Sequence, residues 1–90
     1  MIMTEETVRI RPDDIVWQDL DGELVILDLR RSAYLATNAT GSLLARYLTE
    51  SRTLAELADH MVAEFGIDRA LALADAQAFV AQLREKRLLA

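Results

Sequence analysis

The chain has 90 residues, of which 52% are hydrophobic, and its ten basic and fifteen acidic residues give a net charge of −5. This length suits one domain with one core over residues 1–90, with residues 1–11 as its loosest part. The charge disfavours nucleic acid as the main partner, and the lack of cysteine excludes disulfides, thiolate nucleophiles and sulfur-rich zinc sites. No apolar stretch is typical of a signal peptide or a membrane span, so we expect a soluble, cytoplasmic protein.

Two apolar segments in the first third of the chain predict a β-hairpin. They cover residues 15–20 and 23–29, and the dipeptide Asp21-Gly22 lies between them. This dipeptide tolerates the positive φ angles of a type I′ turn. With such a two-residue turn, Trp17 lies opposite Ile26 in the ladder.

A third strand is predicted at residues 33–37, after the polar break at residues 30–32. In a meander of three strands it is an edge strand, with one row of free backbone donors and acceptors. The side-chain alternation leaves open whether Leu35 or Ala36 points its N–H toward that free edge.

From Asn38 onward the apolar residues recur with the period of a helix. We expect a first helix over residues 39–49, with Asn38 or Thr40 as its N-cap, and a third helix over residues 69–87.

The second helix has the clearest start signal in the chain. Thr53 and Glu56 have the spacing of a capping box, and Gly66 is placed to end the helix. The fold class predicted is therefore α+β, a three-stranded antiparallel meander followed by a three-helix bundle.

No set of residues predicts catalysis or metal binding. The only histidine, His60, is read as a partly exposed helical residue without a chemical task. Tyr34 fits a binding platform and a packing group equally well. The acidic residues of the first third do not have the spacing of a calcium loop, and we interpret them as a solvated surface. They are Asp13, Asp14, Asp19, Asp21, Glu23 and Asp28.

Short motifs spread over the chain resemble, in order and spacing, the PqqD-like family, also called the RiPP recognition element. The similarity covers the chain from Val8 to Leu89. The motifs are Leu27-Asp28-Leu29, Tyr34 in the third strand, Asn38-Ala39-Thr40-Gly41, Leu54-Ala55-Glu56-Leu57-Ala58 and Arg87-Leu88-Leu89.

The resemblance implies a winged-helix-like architecture and a non-catalytic module without a cofactor. Such a module binds the N-terminal leader of a ribosomally made precursor peptide, which adds as a strand to the third β-strand and lies against the third helix. By position, the implied peptide-binding residues are Ala33, Tyr34, Leu35, Ala36 and Thr37 on the strand and Ala76, Phe79, Val80, Leu83, Arg84 and Arg87 on the helix.

Two positions depart from the family pattern. Ser32 stands where the family often has glycine, which puts the geometry of that turn in doubt. Thr37 stands where an apolar residue usually precedes the asparagine, which suggests altered packing or leader preference. In addition, the cations of the last helix and of this turn predict a basic patch that steers the peptide. They are Arg84, Arg87, Arg30 and Arg31.

The expected partners are the leader peptide and a separate maturation enzyme. The chain is most similar to the leader-binding proteins of lasso-peptide biosynthesis, whose partner is a cysteine peptidase that removes the leader. The alternative is a peptide chaperone for a radical SAM enzyme, as in pyrroloquinoline quinone or mycofactocin pathways. A winged-helix DNA-binding protein is the remote alternative, but residues 71–83 are mostly alanine, leucine and valine rather than the basic and amide residues of a recognition helix.

Overall fold

The computed structural model describes residues 6–90. Its central element is a three-stranded antiparallel sheet, in which the strand Glu23–Asp28 (β3) lies between Ile15–Leu20 (β2) and Ala33–Ala36 (β4). A separate two-stranded ladder joins Thr7–Val8 (β1) to Arg52–Thr53 (β5). The predicted α+β class, a meander followed by three helices, is confirmed. The elements are β1 (Thr7–Val8), β2 (Ile15–Leu20), β3 (Glu23–Asp28), β4 (Ala33–Ala36), α1 (Ala39–Tyr47), β5 (Arg52–Thr53), α2 (Leu54–Phe65) and α3 (Arg69–Glu85).

The first hairpin forms in the predicted register. Trp17 pairs with Ile26 across β2 and β3. Asp21 and Gly22 have φ angles of 55° and 88°, the two positive values that a type I′ turn requires. The Asp19 carboxylate accepts a hydrogen bond from the Gly22 N–H at 2.9 Å, which satisfies a donor of the turn.

The core lies between the inner face of the sheet and the three helices. Each helix contributes the apolar stripe expected from its 3.6-residue period. The fully buried apolar side chains include Leu24 and Ile26 from β3, Leu44 and Ala45 from α1, Leu57, Ala58 and Met61 from α2, and Ala72, Ala76 and Leu83 from α3. No helix among the described residues is long and apolar enough to cross a membrane.

Local signals set the starts of the helices. The Asn38 side chain caps α1 by accepting from the Gly41 N–H at 2.8 Å. Thr53 and Glu56 form the predicted capping box at α2, with distances of 2.9 and 3.1 Å. Gly66 ends α2 with a φ of 64°. One free N–H group in each of these first turns is thereby satisfied by a neighbour in sequence.

The helix α3 ends two residues earlier than predicted. Arg87 has a φ of 59° and its N–H donates to the Arg84 carbonyl at 3.0 Å. The Leu88 N–H donates back to the Leu83 carbonyl at 2.9 Å. This is the Schellman arrangement, with arginine in the left-handed position that glycine usually takes.

The described part of the N-terminal segment is paired, so the expectation of a loose start is wrong for residues 7–11; residues 1–5 lie outside the described residues. The strand β1 pairs with β5, and Ile10 forms a bridge with Leu89. Val8 and Ile10 are buried in the core. Sequence patterns miss this segment because its partners are distant along the chain and its strand has only two residues.

Asp28 contradicts the interpretation of the early acidic residues as a solvated surface. Its side chain is fully buried, and one of its oxygens accepts from Arg11 Nη2 at 2.8 Å. Its other oxygen accepts from the backbone N–H groups of Arg30 and Arg31 at 3.1 and 3.3 Å. This carboxylate therefore ties the N-terminal segment to the turn that leads into β4.

Ser32 keeps the geometry of a glycine turn. Its φ of 53° lies in the left-handed region, which is unfavourable for a residue with a Cβ atom. The departure from the family pattern thus leaves the backbone conformation in place and adds local strain.

We expect Arg11→Leu to lower the free energy of unfolding by about 3 kcal/mol, because the buried Asp28 carboxylate loses its closer counter-charge, and Arg31 Nε, 3.9 Å away, is too far to replace the hydrogen bond. Urea denaturation measures the change. Arg30→Leu is the matched control: its ion pair with Asp14 is 2.7 Å long, but both side chains are at least half exposed, so no measurable loss is expected. Equal losses in the two variants would contradict the role of Arg11.

Ser32→Gly is expected to raise the free energy of unfolding by about 0.5 kcal/mol, because relief of the left-handed strain exceeds the entropy cost of glycine. Ser51→Gly is the control, since Ser51 is also exposed but has no positive φ. We expect Ser51→Gly to lower the free energy of unfolding slightly. Thermal unfolding of both variants checks the signs, and a lower stability for Ser32→Gly would overturn the argument.

Candidate peptide-binding site

The outer edge of β4 offers free backbone groups. In an antiparallel ladder, residues alternate between pointing their N–H and C=O toward the partner strand and away from it. The Thr37 N–H donates to the Leu24 carbonyl at 2.9 Å, so Thr37 and, two residues earlier, Leu35 face β3. Tyr34 and Ala36 therefore direct their N–H and C=O groups to the free edge.

The other side of β3 gives the same assignment. The Leu29 N–H donates to the Asp14 carbonyl at 2.9 Å, so the odd-numbered residues of β3 face β2 and the even-numbered residues face β4. The N–H that points to the free edge is therefore that of Ala36 and not that of Leu35, a choice that the sequence left open. Among residues 6–90, no backbone hydrogen bond outside the sheet ladder involves the amide or carbonyl of Tyr34 or Ala36.

A cavity of about 380 Å³ lies between the end of β4 and α3, with the first turns of α1 as its third wall. Its floor is apolar and its rim carries hydroxyl, amide and carboxylate groups. It is lined by Ala36, Thr37, Asn38, Thr40, Gly41, Leu44, Asp75, Ala78, Phe79 and Gln82.

Three of the eleven site residues predicted from the sequence line this cavity, namely Ala36, Thr37 and Phe79. Tyr34 is 64% exposed on the face of the sheet that points away from the helices. Ala33 is half-buried at the start of β4. The strand itself ends at Ala36, one residue before its predicted end.

Four other predicted residues are mainly parts of the core. Leu35, Ala76, Val80 and Leu83 are all buried. The family resemblance assigned all four by position, and the three on α3 belong to the apolar stripe that faces the core. The residues that line the cavity lie beside this stripe, and only Phe79 belongs to both.

The predicted basic patch is divided in the structure. Arg84 pairs with Glu6 at 2.9 Å and lines a second cavity, of about 210 Å³, that shares no lining residue with the first. Arg87 lies beyond the end of α3, where its carbonyl accepts from Arg11 at 3.4 Å. Arg30 pairs with Asp14 at 2.7 Å, and the Arg31 Nε lies 3.9 Å from the buried Asp28 carboxylate. None of these cations lines the cavity beside β4.

Thr37 and Ser42 join the sheet to α1 next to the cavity, which Thr37 lines and Ser42 does not. Their hydroxyl oxygens lie 2.7 Å apart, and the Thr37 hydroxyl also donates to the Leu24 carbonyl at 2.7 Å. The Ser42 hydroxyl accepts from the Leu24 N–H at 3.0 Å. A polar residue is tolerated at the buried position 37 because these bonds satisfy it.

Gly41 allows α1 to approach this floor closely. A Cβ atom at this position would lie 3.1 Å from the Thr37 Cβ and 3.2 Å from the Phe79 Cε1. The sequence identified Gly41 only as part of a family motif. Its physical role is to let the wall of the cavity pack against Phe79.

The sequence did not indicate the polar and small residues of the cavity rim. Asp75, Ala78 and Gln82 share the spacing i, i+3, i+7 on α3, and Thr40 stands opposite on α1. This spacing could have been found, but polar and small residues on a helix normally face solvent. Only the packing of α3 beside β4 gives them a common cavity.

His60 has a structural contact that the sequence did not indicate. Its ring stacks on the Tyr47 ring with centroids 4.1 Å apart and planes 8° from parallel. The guanidinium carbon of Arg52 lies 4.0 Å from the centroid of the Tyr47 ring. Neither cavity includes His60. Among residues 6–90, no group of three or more potential ligand side chains is placed to hold a metal ion.

Two solved structures are similar to this chain over nearly its whole length. One is described as TbiB1 in complex with the TbiA(beta) leader peptide; it has 32% sequence identity and a TM-score of 0.80, and the alignment covers 90% of this chain and 93% of that one. The other is lasso peptide synthetase B1 complexed with the leader peptide, with 29% identity, a TM-score of 0.78, and coverage of 92% and 96%. A search of curated proteins finds no match.

The family comparison covers two strands of the central sheet, the three helices and every residue that lines the cavity. The model of the family described as coenzyme PQQ synthesis protein D matches residues 23–89, which include β3, β4 and all three helices. Together with the similar solved structures, this match shows that the chain belongs to the PqqD family.

Proposed function

We propose that this chain is a non-catalytic recognition element that binds the leader of a ribosomally made precursor peptide by strand addition to β4. The observation that carries the proposal is the pair of outward-pointing backbone positions, Tyr34 and Ala36, next to the cavity between β4 and α3. The two similar solved structures are complexes with leader peptides, which supports the same class of ligand.

Strand addition uses the backbone for affinity and the side chains for selection. A bound peptide pairs with the N–H and C=O groups of Tyr34 and Ala36, which supply up to four backbone hydrogen bonds. Its side chains alternate between the two faces of the extended sheet. Those on the inner face point toward α3 and enter the cavity, where Phe79 and Leu44 provide apolar contact.

The pathway we propose is lasso-peptide biosynthesis, with a separate cysteine peptidase as the partner that receives the bound leader. The description of one neighbour as a lasso peptide synthetase B1 supports this pathway. The second candidate is a peptide chaperone for a radical SAM enzyme, and the description of the matched family as a coenzyme PQQ synthesis protein keeps it open. In both roles the chain contributes recognition and the partner contributes the chemistry.

We expect Ala36→Pro to abolish peptide binding while the domain stays folded, because proline removes an N–H that points to solvent in the free protein. The probes are dodecapeptides selected on the wild-type protein from a randomised display library, then labelled with fluorescein. Fluorescence anisotropy measures affinity, and circular dichroism verifies the fold.

Two variants control this experiment. Ala36→Thr changes the side chain but keeps the N–H, so binding should persist. Leu35→Pro removes an N–H that bonds to β3, so it should destabilise the sheet itself. Full binding by a folded Ala36→Pro variant, or a library that yields no binder, would contradict strand addition at β4.

A chemical-shift map should place the selected peptide on β4 and on the cavity side of α3. On titration, the amide signals of Tyr34, Ala36 and residues 75–82 should move most, while Arg84 should move little because it lies on another face of α3. Changes confined to the hairpin of β2 and β3 would put the peptide elsewhere.

A further inference from the structure

One charged side chain, Asp75, lines the cavity beside β4. It lies on α3 in the sequence between Ala74 and Ala76, and its neighbours in the cavity wall are Ala78 and Phe79. Among residues 6–90, Asp75 takes part in no ion pair, whereas Asp14, Asp19, Asp28 and Asp59 are all paired with arginines. Its carboxylate is therefore available to a ligand.

No cation among residues 6–90 lines the cavity, so Asp75 makes it acidic. The chain has a net charge of −5. Of the two arginines on the same helix, Arg69 pairs with Asp59, and Arg84 pairs with Glu6 and lines the other cavity. The predicted steering of the peptide by cations therefore does not apply at this cavity. An acidic cavity is instead complementary to a positively charged group of the ligand.

We propose that the cavity selects a basic side chain, lysine or arginine, from the bound peptide, and that Asp75 is the residue that determines this preference. The inference rests on the proposed function, since it assigns a specificity to the same site. The aliphatic stem of a lysine or arginine can lie along Ala78 and Phe79 while its charged end reaches the carboxylate.

The length of the cavity wall sets a spacing in the peptide. From Asp75 to Gln82 the lining residues of α3 span about 10 Å along the helix axis. Successive inward side chains of a strand are about 6.7 Å apart. The wall therefore accommodates two inward side chains, two positions apart in the peptide: the basic residue at Asp75 and a large apolar residue at Phe79 and Leu44.

The test uses the same randomised dodecapeptide library, selected in parallel on the wild-type protein and on Asp75→Lys. On the wild type, we expect lysine or arginine to be enriched two positions from a large apolar residue. On Asp75→Lys, aspartate or glutamate should replace the basic residue at that position. Glu64→Lys is the matched control, because it makes the same charge change at an exposed site on α2 outside both cavities; it should retain the wild-type preference.

Affinity measurements then test direct contact between Asp75 and the basic residue of the peptide. Asp75→Asn should weaken binding of the selected basic peptide about fivefold, the upper range for an ion pair at an exposed residue such as Asp75. It should leave unchanged the affinity of the same peptide with its basic residue replaced by methionine. A nonzero coupling in this double-mutant cycle is the result expected for direct contact.

The outcomes separate the inference from the function on which it rests. If selected peptides depend on the Ala36 N–H but show no basic preference, or keep that preference on Asp75→Lys, the role of Asp75 is overturned and strand addition stands. If no peptide binds, or binding ignores Ala36→Pro, the proposed function itself fails.

Discussion

The register between β3 and β4 decides which backbone groups of this chain are open to a ligand. It is held at both ends by buried polar contacts. At the start of β4, the Asp28 carboxylate accepts from the backbone of the preceding turn and from Arg11. At its end, the Thr37 hydroxyl bonds to the Leu24 carbonyl and contacts Ser42. A slip of one residue would leave these buried groups without partners, at a free-energy cost of about 1 to 3 kcal/mol each.

Different faces of the helix α3 contribute to the core and to the candidate site. Ala76 and Leu83 are fully buried, and the helix packs against α2. Phe79 stands at the border and gives the cavity its apolar floor, while Asp75 and Gln82 form its polar rim. Because rigid core contacts hold this helix, the distance between its polar residues and the edge of β4 is set before any peptide binds.

Both departures from the family pattern are accommodated by the surrounding structure. Ser32 adopts the left-handed conformation of a glycine, and the buried carboxylate of Asp28 stabilises the turn in which it lies. Thr37 is buried, yet its hydroxyl is fully engaged. The turn and the strand end thus keep the geometry on which the free edge depends, although their side chains differ.

The sequence by itself determined the features that depend on near neighbours: the turn at Asp21-Gly22, the capping box of Thr53 and Glu56, and the order of strands and helices. Such features form from contacts within a few residues, so local patterns specify them. The tertiary structure alone decided the buried partners of Asp28, the outward direction of the Ala36 N–H, and the separation of Arg84 from the cavity beside β4. Each of these depends on groups far apart in the chain, and whether a polar side chain is buried, paired or free is set by which surfaces pack together.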